Sequence, residues 1–365
     1  MKIRAAVLEA FGQPLVVQDV DLAPPKAGEV LVKVEACGVC HTDLYTASGA
    51  DPSGYCDCVL GHEGAGVVEE VGEGVTHLQA GDHVVMSFVP ACGECSHCHN
   101  HRPSLCDTGL RMGKMLDGTT RVHAGDEDID VMQYLGCMAE YAVIPQASAI
   151  KIDKSIPLDK AALVGCGVMT GVGAAINTAK IVPGSSVAVF GCGGVGLSVI
   201  QGARLAGAEK IVAVDLSESK LEMAKKFGAT HGVCSASDDP VATIQALTGG
   251  GADYAFEAVG IAKLMEQANA CVRRGGMAVI VGVGSLTENV SLNALMLSMG
   301  AKTLKGCFYG DANPPVDFPR LINLYTAGKL NLDDMVTKRY TIDEAPQAFE
   351  DMKSGVNARG VITFQ

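Results

Sequence analysis

Four cysteines lie within one short segment, PACGECSHCHNHRPSLC, residues 90–106. Cys92, Cys95, Cys98 and Cys106 follow the spacing C-x2-C-x2-C-x7-C. Short Cys–Cys steps of this kind fold a loop around one ion and offer four thiolates in a tetrahedron, which is how a closed structural zinc site is built. A ferredoxin-type cluster has similar early spacing, but its bacterial form carries a proline after the fourth cysteine, and here Asp107 follows. His97, His99 and His101 lie in the same segment. With four thiolates present, a closed site has no need of them.

A second set of candidate ligands is scattered: ACGVCHTDLY (36–45), LGHEGAG (60–66) and LVGCGVMTGVG (163–173). Cys37 and Cys40 form a C-x-x-C, a redox motif when it opens a helix in a thioredoxin-like context, and no such context surrounds it. Taken alone, His62 suits a polar strand end and Cys166 suits a small buried hydrophobe.

A third motif is Gly191-Cys192-Gly193-Gly194-Val195-Gly196, a G-x-G-x-x-G directly after the apolar run VAVF. Gly191 allows a tight turn, Gly193 lets the backbone approach a pyrophosphate, and Gly196 lets the next helix lie close to the strand. The helix start offers free N–H groups and a positive dipole end to phosphates. Asp215 ends the next apolar run, where its carboxylate suits the two adenosine-ribose hydroxyls and repels a 2′-phosphate. NAD is therefore expected over NADP.

The elements that must position these residues follow from the patterning. Up to about residue 165, runs such as EVLVKVEACGV, GAGVVEEVGEGV and GDHVVMSFVP are broken by glycine and proline and read as strands of a mostly β domain. From SSVAVFGCGGVGLSVIQGARLAGA onward, apolar strand runs alternate with amphipathic helices: KIVAVD, SESKLEMAKKFG, DYAFEAVG, LMEQANACVRRG, MAVIVGVG. That alternation predicts βαβ units on a doubly wound parallel sheet, an α/β fold. Helices are expected in DFPRLINLYTAG and DEAPQAFEDMKSG, and a last strand in GVITF, which periodicity assigns to neither domain.

Composition bounds the function. A 365-residue chain, 48% hydrophobic and with 44 glycines, can bury a large core and divide into two domains. Its net charge of −13 and pI near 5.1 argue against nucleic-acid or anionic-membrane binding. No apolar run is long enough to span a bilayer, and MKIRAAVLEAFGQPL has no signal-peptide core, so a soluble cytoplasmic protein is expected. There, 14 cysteines are better explained by metals and packing than by disulfides.

The order GVCHTD, GHEGAG, CGEC with two further cysteines, GCGVMTG, GCGGVG, a strand-ending Asp215 and a terminal RGVITF resembles the zinc-dependent alcohol dehydrogenases of the medium-chain dehydrogenase/reductase superfamily. The resemblance covers essentially the whole chain. It implies a GroES-like, mostly β catalytic domain from residues 1–167 and 311–365, with a Rossmann NAD-binding domain from 168–310 between them. It implies one catalytic zinc on Cys40, His62 and Cys166, one structural zinc on Cys92, Cys95, Cys98 and Cys106, and NAD as cofactor. Asp43 matches a carboxylate that orients His62, Glu63 a carboxylate beside the zinc, and Thr42 the hydroxyl that bonds the substrate oxygen and begins a proton path. His41 and Arg359 match basic positions at the pyrophosphate, Lys220 a group near the adenosine ribose, and Phe88 an aromatic wall of the substrate pocket. A homodimer or homotetramer acting on a small alcohol or aldehyde is implied.

The chain departs from the family in places. Tyr45 stands where many relatives carry the histidine that ends the proton path, and Cys56-Asp57-Cys58-Val59 replaces Phe-Pro-x-Ile/Val ahead of His62. CHTDLYTASGADPSG is similar to the glutathione-dependent formaldehyde dehydrogenases, which implies acidic partners in this loop and an arginine after the fourth structural cysteine. Asp51 is present, Ser53 replaces a glutamate, and Arg111 is one place out of register. The expected activity is reversible hydride transfer between NAD and a primary, aromatic or medium-chain, alcohol. The alternatives are glutathione-dependent formaldehyde oxidation and a non-catalytic NAD- and zinc-binding scaffold or redox sensor.

Overall fold

The computed structural model describes residues 1–51, 56–110, 113–355 and 357–364; Ser53 and Arg111 lie outside them. The chain forms two compact units, Met1–Cys166 with Asn313–Gln365, and Gly167–Ala312.

The first unit is built around the strand Glu29–Gly38, whose sequence EVLVKVEACG is apolar at most positions because it is covered on both faces. It pairs antiparallel with Gly64–Val71, Tyr141–Pro145 and Arg359–Thr363. The GVITF run thus joins the N-terminal strands, with Ile362 opposite Cys37. The sheet has seven strands, extended by His83–Met86, Ala149–Ile152 and Val336–Tyr340. A separate closed barrel is formed by Lys2–Leu8, Val16–Leu22, Val122–Ala124, Glu127–Val131 and Cys58–Val59. Its filling comes from inward-facing Ile3, Val7, Val20, Leu22, Val59, Ile129 and Val131, which is the GroES-like architecture expected.

The second unit is a six-stranded sheet in the order His231–Cys234, Lys210–Asp215, Ser186–Phe190, Ala252–Glu257, Val272–Ile280, Thr303–Gly306. Every pair is parallel. Chain order reverses direction between Ser186–Phe190 and Ala252–Glu257, so this is the doubly wound topology with its switch point there. Apolar residues of these strands, Ala188, Phe190, Val212, Val214, Val233 and Ala255, meet Ile244 and Ala268 of the covering helices. Local signals set the helix ends. Asp239 accepts from the N–H groups of Val241 and Ala242, Pro240 opens the helix Pro240–Thr248, and Gly249 closes it in the left-handed region at φ 69°. One expected helix ends early: ANACVRRG is helical only to Cys271, and Val272 begins a strand opposite Ala252. Pairing with a buried neighbour outweighs helical periodicity at that point.

Candidate active site

Two strand ends and one tight turn deliver the scattered ligands. The strand Glu29–Gly38 runs out two residues before Cys40, and the partner strand Gly64–Val71 begins directly after His62 and Glu63. Pairing of Cys37 with Gly64 and the bond from Gly38 N–H to Glu63 O (2.9 Å) bring the two segments together. Cys166 arrives from the tight turn Ala162–Gly165, which lies against His83–Met86. A Cβ at position 165 would stand 2.7 Å from the Met86 carbonyl oxygen, so only glycine fits.

The ligand atoms of Cys40, His62, Glu63 and Cys166 all lie within 4.8 Å of one another. Asp43, fully buried, organises them. Its Oδ1 is 2.9 Å from His62 Nδ1 and accepts from Gly61 N–H at 3.1 Å, while Oδ2 accepts from Cys40 N–H at 3.0 Å. With Nδ1 bound to the carboxylate, Nε2 is the nitrogen left for a ligand. That Nε2 is buried and makes no hydrogen bond, an arrangement that is costly unless something else occupies its lone pair.

Electrostatics point the same way. The hydrogen bond from Cys166 draws the Cys40 thiol well below the usual range. Burial pushes Glu63 up to about 7 despite its neighbour Arg359. Arg359 donates through Nη2 to Glu63 Oε2 and, at 3.4 Å, to Val39 O. Thr42 Oγ1 lies 3.7 Å from Cys40 Sγ. The ring of Phe88 stands edge-on to His62, with centroids 5.7 Å apart, just beyond the strand His83–Met86. Two thiols and one imidazole with a bare nitrogen are three donors, a set that fits a zinc with its fourth position open, and the Glu63 carboxylate lies beside them.

The four-cysteine segment closes on itself. Cys106 Sγ lies 3.5 Å from Cys92 Sγ and 3.9 Å from Cys95 Sγ. Tetrahedral Zn–S bonds of about 2.3 Å place sulfurs about 3.8 Å apart, whereas a disulfide needs about 2.05 Å. The N–H groups of Glu94 and Cys95 point at Cys92 Sγ and lower its pKa to about 6. These four residues fit a structural metal site. Cys37 is not a redox partner of Cys40, since its Sγ lies 3.4 Å from that of Cys137, both fully buried. That contact spans 100 positions and leaves no signal in the C-x-x-C spacing.

In the second unit, the turn Gly191–Gly196 follows the strand Ser186–Phe190 and opens the helix Gly194–Leu205. Gly191 adopts φ +94°, and a side chain at Gly196 would strike the Gly191 carbonyl oxygen. Nothing lies within 4 Å of a Cβ built on Gly193, so the backbone there faces open space. The helix has no side-chain cap, which leaves its first N–H groups for a phosphate. Asp215 accepts from Cys192 N–H at 2.8 Å and from Ser217 N–H at 3.1 Å, fixing its carboxylate beside the turn. Lys220 is within electrostatic reach of Cys192. His41, in the first unit, is exposed on the helix His41–Ala47. Within the second unit, the Gly191–Gly196 turn, Asp215 and Lys220 are residues that fit a dinucleotide.

Residues 194–327 match the zinc-binding dehydrogenase family and residues 26–154 the alcohol dehydrogenase GroES-like domain. The S-(hydroxymethyl)glutathione dehydrogenase of Paracoccus denitrificans is 41% identical over 100% of both chains. The chain belongs to the zinc-dependent alcohol dehydrogenases. It is an enzyme, an NAD(P)-linked oxidoreductase of the medium-chain dehydrogenase/reductase superfamily. The NDMA-dependent alcohol dehydrogenase of Amycolatopsis methanolica is 42% identical to this dehydrogenase over 99% of both chains. The crystal structure of benzyl alcohol dehydrogenase from Acinetobacter calcoaceticus superposes with a TM-score of 0.95 at 36% identity, covering 100% of both chains. Among the described residues of this dehydrogenase, no single helix is long and apolar enough to cross a membrane.

Proposed function

We propose that this dehydrogenase oxidises primary alcohols, aromatic or medium-chain, to aldehydes with NAD, and runs the reverse reaction. The observation that carries the reading is His62: fixed by Asp43, with Nε2 bare among Cys40, Cys166 and Glu63. Cys40, His62 and Cys166 would hold the catalytic zinc, and Cys92, Cys95, Cys98 and Cys106 the structural one. A bound zinc supplies Lewis acidity, lowering the pKa of the alcohol so that the alkoxide forms near neutral pH. Thr42 would accept a hydrogen bond from the alcohol and begin the path that carries its proton on to solvent, and a bound NAD would supply the hydride acceptor. Phe88 supplies an apolar wall for the substrate. Asp215 receives the adenosine-ribose hydroxyls with Lys220 nearby, and His41 and Arg359 offset pyrophosphate charge.

The relatives act, by name, on benzyl alcohol and on S-(hydroxymethyl)glutathione, so the substrate separates two readings. A glutathione adduct, with two carboxylates and an ammonium group, needs charged partners, and the absence of a charge-assisted hydrogen bond costs about 1.5 to 3 kcal/mol. Asp51 is engaged with the Thr46 hydroxyl at 3.1 Å, and Ser53 replaces the expected glutamate. Benzyl alcohol and medium-chain primary alcohols should therefore reduce NAD without glutathione, and formaldehyde turnover should not rise markedly when glutathione is added. Comparing kcat/KM for the three substrates decides it. A strong glutathione requirement moves the enzyme to the formaldehyde-oxidising reading, and no NADH from any of these alcohols rejects the primary-alcohol reading.

The reading also includes a homodimer or homotetramer. The short helix Ala294–Met299 buries none of its residues, exposing Leu295, Met296 and Met299 by 60% or more. Beside it the strand Thr303–Gly306 is the edge of the six-stranded sheet. Exposed apolar surface next to an open edge is what a second copy would cover. Light scattering should give a multiple of the chain mass, falling to one chain in Leu295→Glu/Met299→Glu; a monomeric native enzyme rejects this part. None of the fourteen cysteines is in a disulfide, which supports a cytoplasmic location.

A further inference from the structure

The switch point of the second unit holds a buried acid that no step above uses. Glu257 ends the strand Ala252–Glu257, directly opposite Phe190, the residue before the Gly191–Gly196 turn. Its side chain is fully buried. Oε1 gathers three backbone N–H groups of its own loop: Val259 at 2.9 Å, Gly260 at 2.8 Å and Ile261 at 3.4 Å. Its main-chain oxygen collects two more from the next strand's end, Val281 at 2.8 Å and Gly282 at 3.0 Å. Oε2 is buried without a hydrogen bond. Burial pushes the carboxyl pKa up, and the three N–H donors pull against that rise.

A core carboxyl with one oxygen unsatisfied is an expensive way to fasten a loop, since an unpaired buried acceptor forfeits its hydration. What the loop does explains the expense. Ala258 N–H donates to Phe190 O at 2.9 Å, and the Val259 side chain lies against Gly191, where a Cβ would collide with it. On the other side, a Cβ on Gly282 would strike Gly260 N. The loops 258–261 and 281–283 are therefore interlocked beneath the turn, and Val259, Ile261 and Val283 present exposed apolar side chains there.

We propose that Glu257 is a positioning residue for the dinucleotide: by collecting the N–H groups of residues 259–261 it sets the loop that supports the Gly191 turn. The inference rests on the reading that the cofactor binds at Gly191–Gly196. It assigns Glu257 no contact with the reacting atoms. Its effect falls on cofactor affinity and not on the chemical step.

The test compares the zinc-loaded native enzyme with Glu257→Gln and Val259→Ala, measuring NADH affinity by fluorescence, KM for NAD, KM for the alcohol, kcat and thermal unfolding. Glu257→Gln keeps the shape and one acceptor oxygen but removes the charge. Its NADH Kd and KM for NAD should rise about tenfold, the effect of losing one charge-assisted bond. Its kcat at saturating NAD and its KM for alcohol should stay near the native values. A lower melting temperature with unchanged NADH affinity overturns the proposal, because a purely structural acid behaves that way. If Glu257→Gln does not fold, Val259→Ala decides: the exposed contact to Gly191 is removed, and unchanged NADH affinity there also overturns it. A native enzyme that binds no NADH removes the cofactor reading itself, an outcome separate from native binding with indifferent variants.

Discussion

Replacing His62 by alanine should abolish alcohol-dependent NADH formation while the protein still folds and keeps one zinc of two. Lewis-acid stabilisation of the developing alkoxide is worth several kcal/mol, so the loss should be about 10³-fold or more. The fold should survive because Glu29–Gly38 and Gly64–Val71 are held by their pairing, which His62 does not enter. Asp43→Asn keeps the ligand but weakens its orientation, and should lose about 10- to 100-fold. Cys98→Ser should behave in the opposite manner. A closed structural zinc contributes folding free energy, about 10 to 16 kcal/mol in small zinc peptides, against a total stability of about 5 to 15 kcal/mol for a whole protein. Loss of one of its four ligands should therefore show as aggregation or early unfolding before any effect on chemistry is measurable. Zinc content by atomic emission, with activity and melting on the same preparations, checks all three variants. A fully active enzyme with a single zinc per chain is the result that would sink the assignment.

Asp215 should set cofactor choice, with NAD preferred over NADP by about 100-fold in kcat/KM. A carboxylate that bonds the ribose hydroxyls gains up to about 3 kcal/mol with NAD and meets a like charge with NADP, and every 1.4 kcal/mol is tenfold. The structure adds a refinement, because the same carboxylate accepts the Cys192 and Ser217 N–H groups. Asp215→Gly should therefore weaken both cofactors by loosening the turn. Asp215→Ser offers a short acceptor and should mainly narrow the preference. Steady-state kinetics with both cofactors on native and variant enzymes measure the two effects. Equal use of NAD and NADP by the native enzyme would mean that this carboxylate does not face the ribose.

Two of the sites were legible in the residues alone because they are local. Cys92, Cys95 and Cys98 are separated by two residues each and Cys106 follows after only seven more, so one short loop brings all four within reach of a single ion. The G-x-G-x-x-G was equally readable, as its meaning depends on one strand, one turn and one helix in succession. The catalytic cluster is of another kind. Cys40, His62 and Cys166 come from three separated segments, and the resemblance to a family, not any spacing, grouped them. Strand pairing at Gly38 and Gly64, with the turn held on Met86, makes them neighbours. Periodicity also left GVITF unassigned, because an apolar strand carries no mark of its partner; pairing of Ile362 with Cys37 assigned it to the first unit. The C-x-x-C misdirects for a related reason. Cys37 closes a strand that ends at Gly38 while Cys40 sits at the start of the next helix, and Cys37 meets Cys137, 100 positions away, instead of Cys40. Glu257 left no sequence signal, since a glutamate ending an apolar run reads as a solvated strand end. Only the parallel sheet, by closing over that end at its switch point, turns the residue into a buried anchor for five N–H groups.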